Sequence, residues 1–493
     1  MKKQRAVGAI VLAGGLGTRM KSSLAKVLHH LAGRPLISYP LAALHSAGVD
    51  PIVVVVGHQA EAVRAACERY GVRCAVQDEQ KGTGHATLCA RAALADFDGD
   101  VVLVNGDLPF LRETTVRRLV AAHRAAGAAV SVLTDTIEAP HGFGRIVRDA
   151  GGQVARIVEE RDAGPADRAI REINVGVYCA EAGFLFRALA GLEPINAQGE
   201  LYLTDIVAIA RAEGRAVGDA PAAAGEAAQV STRADLAARE AELRRDIVNQ
   251  WMDAGVTVED PATAYIGPDV TIGRDTVLGP NVILGGRTRV GENCRIDGTA
   301  RLLDAVVGDR VHVKFGVVMI DAAVGDDGLV GPFAHLRPGT RLGRGVHIGD
   351  FVETKNAVIG AGTKANHLAY LGDTEIGSEA NIGAGTITCN YDGFRKHQTV
   401  IGDRVQVGSD TQLVAPVTIG DDAYIASGTT VTKDVPAGAL VFNVKRTTQR
   451  DGWVAARRKR EQERAAGPEA ADSPAPAARR RAAAARGRRR PKR

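Results

Sequence analysis

Three stretches of the chain carry side chains able to do chemistry. The first is LAGGLGTRM, Leu12 to Met20, with Lys26 following in SSLAKVLH. Glycines let a backbone approach an anion closely, and a helix opening after such a turn aims its amides at it. Arg19 and Lys26 add positive charge to that place. A Rossmann GxGxxG fails on spacing, and a Walker A loop needs Gly-Lys-Ser/Thr, which is absent here. Taken alone, the turn is equally well explained as plain strand-to-helix geometry. The second stretch is VNGDLPF, Val104 to Phe110. Its Asp107 follows an apolar run, where a hard carboxylate can hold a divalent cation beside phosphate oxygens; the bland alternative is an ordinary turn aspartate. The third is TKANHLAYLGD, Thr363 to Asp373, whose His367 is suited to taking a proton from an amine nucleophile near neutral pH. In isolation it is one of 12 histidines on a surface loop.

The elements that must position these groups fall into segments. From Val7 to about Ala228, short runs such as Ile52–Val56 and Val101–Val104 alternate with Ala-rich stretches, the pattern of a mostly parallel sheet covered by helices. Between Arg233 and Met252, Leu236, Leu243, Ile247 and Trp251 recur at helical spacing, which predicts one amphipathic connector. After Pro261 the period becomes six: Ile266, Ile272, Leu278, Leu284, Val290 and Ile296, and again Ile401, Val407, Leu413, Ile419, Ile425 and Val431. Such a period predicts hexapeptide coils of a β-helix, each aliphatic residue pointing into a narrow prism. Gly follows each of the first five and is expected to supply the corner conformations. TKANHLAYLGD breaks the period and is expected to be a loop. The resulting domains are 1–230, 231–252 as linker helix, 253–453 as β-helix, and 454–493 as a basic disordered tail.

The 493 residues are 45% hydrophobic and 24% charged, a soluble globular composition. No apolar run reaches the ~20 residues a membrane helix needs, and the opening MKKQRAVGAIVLAGG reads as a buried strand, not a leader, because glycines interrupt it and Arg19 and Lys21 follow. Six scattered cysteines without a CxxC pair exclude a zinc ribbon and a secreted disulfide framework, so reduced cytoplasmic thiols are expected. From Val454 onward 14 Lys and Arg stand against 4 Asp and Glu; the rest carries 48 against 53, a net of −5 inside a chain whose formal charge is +5. Only the tail is basic.

The phrases GGLGTRM…K, QDEQKGTGHA (Gln77 to Ala86), VNGDLPF, GFGRI, IVEERDA, EINVGVY and GELYLTD resemble the sugar-phosphate nucleotidyltransferases. Together with the hexapeptide half, they are similar to the bifunctional N-acetylglucosamine-1-phosphate uridyltransferase / glucosamine-1-phosphate acetyltransferase family, over about Val7 to Trp453. The resemblance implies an α/β nucleotidyltransferase domain followed by a left-handed parallel β-helix. It implies that Leu12, Ala13, Gly14 and Gly15 form the nucleotide turn, that Gln77, Gly82 and Thr83 read the uracil, and that Asn105 and Gly106 line the pocket. Gly144, Glu159 and Asn174 would hold the sugar, Asp107 Mg²⁺, and Arg19 and Lys26 the UTP phosphates. In the second half it implies His367 as base, with Arg337, Lys355 and Lys396 on the sugar phosphate and Tyr370 and Asn381 near the sugar. Ala384, Asn390, Tyr391, Ser409 and Ser427 fall at acetyl-CoA positions, Asn390 also bordering the amine. A homotrimer in the cytoplasm and a cell-wall precursor as product are implied as well.

Three positions of the first half and one of the second depart from the family pattern. Ser231 stands in VSTR where an Asn is the second metal ligand, Ala25 replaces a Pro and Leu16 a frequent Lys. Val444 stands where an Arg meets the CoA phosphates, with Lys445 or Arg446 as substitutes. Two other functions compete: nucleotidyl transfer alone with a structural β-helix, against which ANHLAY and NYDG speak, and nonspecific nucleic-acid binding by the tail. That binding would be salt-sensitive and, without aromatics after Trp453, would lack stacking. Deleting residues 458–493 is therefore expected to leave both turnover numbers unchanged at saturating substrate while abolishing any salt-dependent polyanion binding; steady-state rates and filter binding at two salt concentrations check it.

Overall fold

The computed structural model describes residues 5–444 and 447–465. One compact unit runs to Phe442, and a second begins at Asn443. In the first, a nine-stranded mixed sheet has the order Val217–Pro221, Val130–Thr136, Glu172–Glu181, Asp100–Asn105, Val7–Ala13, Ile52–Val56, Arg73–Val76, with Arg145–Arg148 and Val154–Val158 added at one side. The strand Glu172–Glu181 runs antiparallel to both of its long neighbours; the other main pairings are parallel. Ile52–Val56 is buried along its whole length, as a strand covered on both faces must be. Helices lie on either face, and two apolar clusters fill the spaces between.

The helix Arg233–Asp253 follows. Thr232 caps it by accepting from the Asp235 amide at 3.1 Å, while the Asp235 carboxylate accepts from the amides of Ser231 and Thr232. Its first half packs Leu236 and Leu243 against Leu31, Leu36 and Val230, and Ile247 and Val248 enter the core of the prism. Arg34 of the nucleotidyltransferase side pairs with Asp269 of the first coils.

From Thr257 to Val441 short strands stack in parallel, consistent with the expected left-handed β-helix. Every aliphatic residue of both six-residue registers is buried. The glycines do a different job from the expected one. Gly267, Gly273, Gly279, Gly285 and Gly291 do not take left-handed conformations; the corners that do are occupied by Asp275, Asn281, Gly286, Asn293, Thr299 and Asp304. At Gly273 an added Cβ would lie 2.5 Å from the Gly291 carbonyl carbon, and at Gly291 it would lie 2.6 Å from that of Gly308. Coil-to-coil contact, not a twisted corner, excludes side chains there. Buried threonines also line the prism, and most of their hydroxyls are answered by backbone carbonyls, as in Thr363 to Gly377 at 2.7 Å; Thr340 and Thr354 answer each other, and Thr399 Oγ1 has no partner among the described residues.

TKANHLAYLGD is no loop. Lys364–His367 and Tyr370–Ile376 are strands, with Asp350 facing His367 and Glu353 facing Tyr370 across the ladder. The period breaks because the coil is one residue short, 17 in place of 18. The segment that leaves the prism is 390–397, where pairing jumps from Cys389 to Val414 and Phe394 is 92% exposed. In the second unit, Trp453–Ala465 is an exposed helix where no structure was expected; helix-forming Ala, Arg, Glu and Gln and the Lys459–Glu463 pair account for it. The rest of the expected disordered tail lies outside the described residues.

At the end of the sheet where Asp100–Asn105 begins, buried His123 shares a hydrogen bond with Ser131 Oγ at 3.0 Å, and its Nε2 stands 3.8 Å from Asp100. Burial holds this imidazole below its ordinary pKa of 6.5, with Asp100 and Glu181 opposing and Arg124 and Arg5 assisting. Native His123 thus stays neutral while the unfolded chain takes up a proton, so stability is lost as pH falls from about 6.5 toward the depressed native value. Urea midpoints measured at about pH 7.5 and 5.5 are expected to fall less in His123→Gln than in the parent; equal falls would show that the histidine does not set the slope.

Candidate functional site

Three turns leave the carboxyl ends of parallel strands of the one sheet and meet over one cavity. Leu12–Gly15 follows Val7–Ala13, Gln77–Thr83 follows Arg73–Val76, and Asn105–Asp107 ends Asp100–Asn105. The cavity, about 280 Å³, is lined by Leu12, Ala13, Gly14, Gly15, Lys26, Gln77, Gly82, Thr83, Asn105 and Asp107, and also by Gln80, Glu200 and Gln229. The Lys26 ammonium pairs with the buried Asp107 carboxylate. Gly106 lies beneath the lining, its amide donating to Leu12 O at 2.9 Å. Arg19 is not in the lining; it sits exposed on the short helix Thr18–Met20, where its charge helps to hold the Asp235 carboxyl below its ordinary range, against burial.

The sequence reading missed Gln80, whose Nε2 donates to Gly14 O at 2.8 Å and so braces the glycine turn. It also missed Gln229, which donates to Val175 O at 3.2 Å. No local signal marks either residue, since each acts through a contact distant in sequence.

Gly144, Glu159 and Asn174 are not in this lining but stand together beside it. The Asn174 amide donates to Gly144 O at 2.9 Å, and a Cβ on Gly144 would come within 3.5 Å of the Glu159 carboxylate. Two links tie the group to the cavity: Asn174 Oδ1 accepts from Gly176 N, and Gly176 lies against Asn105. Burial lifts the Glu159 carboxyl above its usual range, and Asp162 and Asp205 push the same way.

In the prism, His367 ends the strand Lys364–His367 at a corner. Its Nδ1 lies 2.9 Å from Asp350 Oδ1. A carboxylate only accepts, so Nδ1 carries the proton and Nε2 keeps its lone pair. The corner repeats: Gly385 N donates to Leu368 O, Asp410 N to Ala384 O, and Gly428 N to Ser409 O, at 2.7–2.8 Å. Asp350, His367, Ala384, Ser409 and Ser427 therefore form one column over successive coils.

Beyond the corner, Tyr370 opens the next strand. Asn390 Nδ2 reaches Tyr370 Oη at 3.4 Å and Asp373 Oδ2 at 2.5 Å. Lys355 is pushed below the ordinary lysine range, first by the adjoining Lys396 and then by desolvation, with Asp373 opposing and Arg337 reinforcing. Arg337 meets Glu353 at 2.6 Å. Arg337, Lys355 and Lys396 thus make one cationic patch, with Tyr391 bridged to Lys396 at its edge. Asn381 lies elsewhere, on the sheet of His367, paired with Lys364. Asp350 and Asp373 escaped sequence reading; the sign of Asp350 is its place 17 residues, one coil, before His367. Val444 is 90% exposed, while Lys445 and Arg446 lie outside the described residues.

Residues 9–173 match the MobA-like NTP transferase domain, and 398–433 match the six-repeat bacterial transferase hexapeptide family. A Bifunctional protein GlmU of Pelobacter propionicus is 52% identical over 453 residues, 91% of this chain and 98% of the relative. The chain belongs to the GlmU family. Other members at similar coverage come from Geobacter sulfurreducens at 49% identity and Mycolicibacterium vanbaalenii at 47%. The GlmU match spans both the cavity and the corner column, so the two sites belong to one family pattern.

Proposed function

We propose that the β-helix acetylates glucosamine-1-phosphate from acetyl-CoA and that the N-terminal cavity then joins UMP from UTP to the N-acetylglucosamine-1-phosphate. The chain is a bifunctional acetyltransferase and uridyltransferase producing UDP-N-acetylglucosamine. The observation that carries this division is that each half holds its own reactive pair, Lys26–Asp107 in one and Asp350–His367 in the other. Nucleotidyl transfer alone would leave the second pair without a use.

In the acetyl step, His367 Nε2 takes the proton from the amine as the N–C bond forms; the thioester C–S bond breaks, and the imidazolium returns the proton to the departing sulfur, so that CoA leaves as thiol. Asp350 holds the imidazole in the tautomer that can accept. Arg337, Lys355 and Lys396 bind the sugar phosphate, whose charge relieves their mutual repulsion. Tyr370 and Asn390 bound the sugar and amine, while Ala384, Tyr391, Ser409 and Ser427 take acetyl-CoA.

In the uridylyl step, a phosphate oxygen of the sugar-1-phosphate attacks the α-phosphorus of UTP and pyrophosphate leaves in line. No covalent enzyme intermediate is needed, so the residues act by position and charge. Gln77, Gly82 and Thr83 hold uracil, Lys26 and Arg19 meet phosphate, and Glu159 and Asn174 hold the sugar.

Mg²⁺ fits the donor set. Asp107 offers one buried carboxylate, and the Val230 amide donates to Asp107 O at 3.2 Å, which brings Ser231 alongside. No cluster of three or more His, Cys, Asp or Glu occurs among the described residues, so the ion would draw most ligands from phosphate and water, as Mg²⁺ does. When bound, it neutralises phosphate charge.

The proposal extends to a homotrimer in the cytoplasm supplying a cell-wall precursor. The exposed Phe315, Phe333 and Phe351, the first edge-on to the second and the second stacked on the third, support assembly, and six free cysteines support a reducing compartment. No helix among the described residues is long and apolar enough to cross a membrane.

Asp107→Ala is expected to lower UDP-sugar formation by at least about 10²-fold at ordinary Mg²⁺ while acetyl transfer continues, read by separate assays; joint loss in a folded protein would defeat the division. His367→Ala is expected to lower acetyl transfer about 10²–10⁴-fold and to be partly rescued by raising the pH, since more substrate amine is then already neutral. Asp350→Asn should give a smaller fall. Parental acetylation by His367→Ala at about pH 7 would place the base elsewhere.

A further inference from the structure

We propose that His85 is a positioning residue that sets base selectivity by fixing which way round the Gln77 amide stands; this rests on the uridylyl-transfer reading above. Gln77 is 3% exposed. Its Nε2 donates to Gly82 O at 3.2 Å and meets His85 Nδ1 at 3.2 Å. Gly82 O can only accept, so the Gln77 atom facing it in this structure is the NH₂ nitrogen. With one N–H on Gly82, the other calls for an acceptor at Nδ1. His85 is then neutral with its proton on Nε2, which lies 4.0 Å from Cys89 Sγ, one turn along the helix Thr83–Cys89.

Gln77 lines the cavity, and its Oε1 accepts from no protein donor among the described residues. A Cβ built on Gly14, itself a lining residue, would sit 3.0 Å from that oxygen. The base end therefore presents an acceptor on a fixed mount. Uracil carries an N–H at N3, where cytosine carries a lone pair, so a fixed acceptor pairs with the first and repels the second. Without the Nδ1 acceptor, Gln77 is held by Gly82 alone and can turn to suit either base.

The experiment measures kcat/KM for UTP and for CTP, with N-acetylglucosamine-1-phosphate, in the full chain and in His85→Ala, His85→Leu and His85→Asn. Asn Oδ1 falls near the position of Nδ1 and can accept. The UTP-to-CTP ratio is expected to drop about tenfold in the Ala and Leu variants and to recover in the Asn variant, with acetyl transfer unchanged in all three. Equal falls for both nucleotides, an unchanged ratio, or no recovery in His85→Asn would overturn the inference. A parent protein that makes no UDP-sugar from UTP would instead remove the uridylyl reading on which it rests.

Discussion

Neighbouring strands of a sheet lie about 4.8 Å apart, and in the prism that spacing governs everything else. One coil sits directly on the next, so a position that faces inward or backs onto a neighbour does so in coil after coil. Ile266 and Leu284, or Val407 and Ile425, meet across adjacent coils inside. Where backbones nearly touch, as at Gly273 and Gly291, no side chain fits. The same stacking lines up the corner residues, so Asp350 falls beside His367 and Ala384, Ser409 and Ser427 continue the column. A reactive pair 17 residues apart in sequence is thus a direct result of coil length.

The nucleotidyltransferase half solves the same problem with different means. Parallel strands send their carboxyl ends to one edge, and turns that leave several of them there converge. Lys26, Gln77 and Asp107 come from three separate turns yet line one cavity. The antiparallel strand Glu172–Glu181 brings Asn174 to the same neighbourhood and joins the Gly144, Glu159 and Asn174 group to the cavity. The capped helix Arg233–Asp253 then carries the chain from one core into the other.

The two sites also use charge differently. In the cavity, a lysine and a carboxylate are already paired, so their charges balance before any phosphate arrives. On the prism, Lys355 and Lys396 adjoin, and their repulsion favours an anion between them. In both places glutamine, asparagine or histidine side chains are locked by a second partner, which fixes the donor or acceptor they present.

The six-residue period by itself determined the β-helix, since no other architecture repeats its inward position so strictly, and the alternation of apolar runs with Ala-rich stretches determined the α/β half. The glycine turn, Asp107 and His367 drew notice by residue type, but only the family resemblance set them apart from an ordinary turn, a turn aspartate and a loop histidine. What stayed hidden depended on contacts between distant parts of the chain. Gln80 bracing Gly14, Asp350 behind His367 and the turn of Gln77 toward the cavity are made across strands or coils. TKANHLAYLGD looked like a loop because a shortened coil and an excursion both break a period; only the pairing of Asp350 with His367 and Glu353 with Tyr370 separates them. Likewise the glycines after each aliphatic residue signal a tight backbone from sequence, but whether the crowding lies within the corner or against the next coil was decided by stacking alone. Periodicity is a local property that the chain carries with it, whereas the orientation of a hydrogen-bonding group is set by whichever partner tertiary packing places against it.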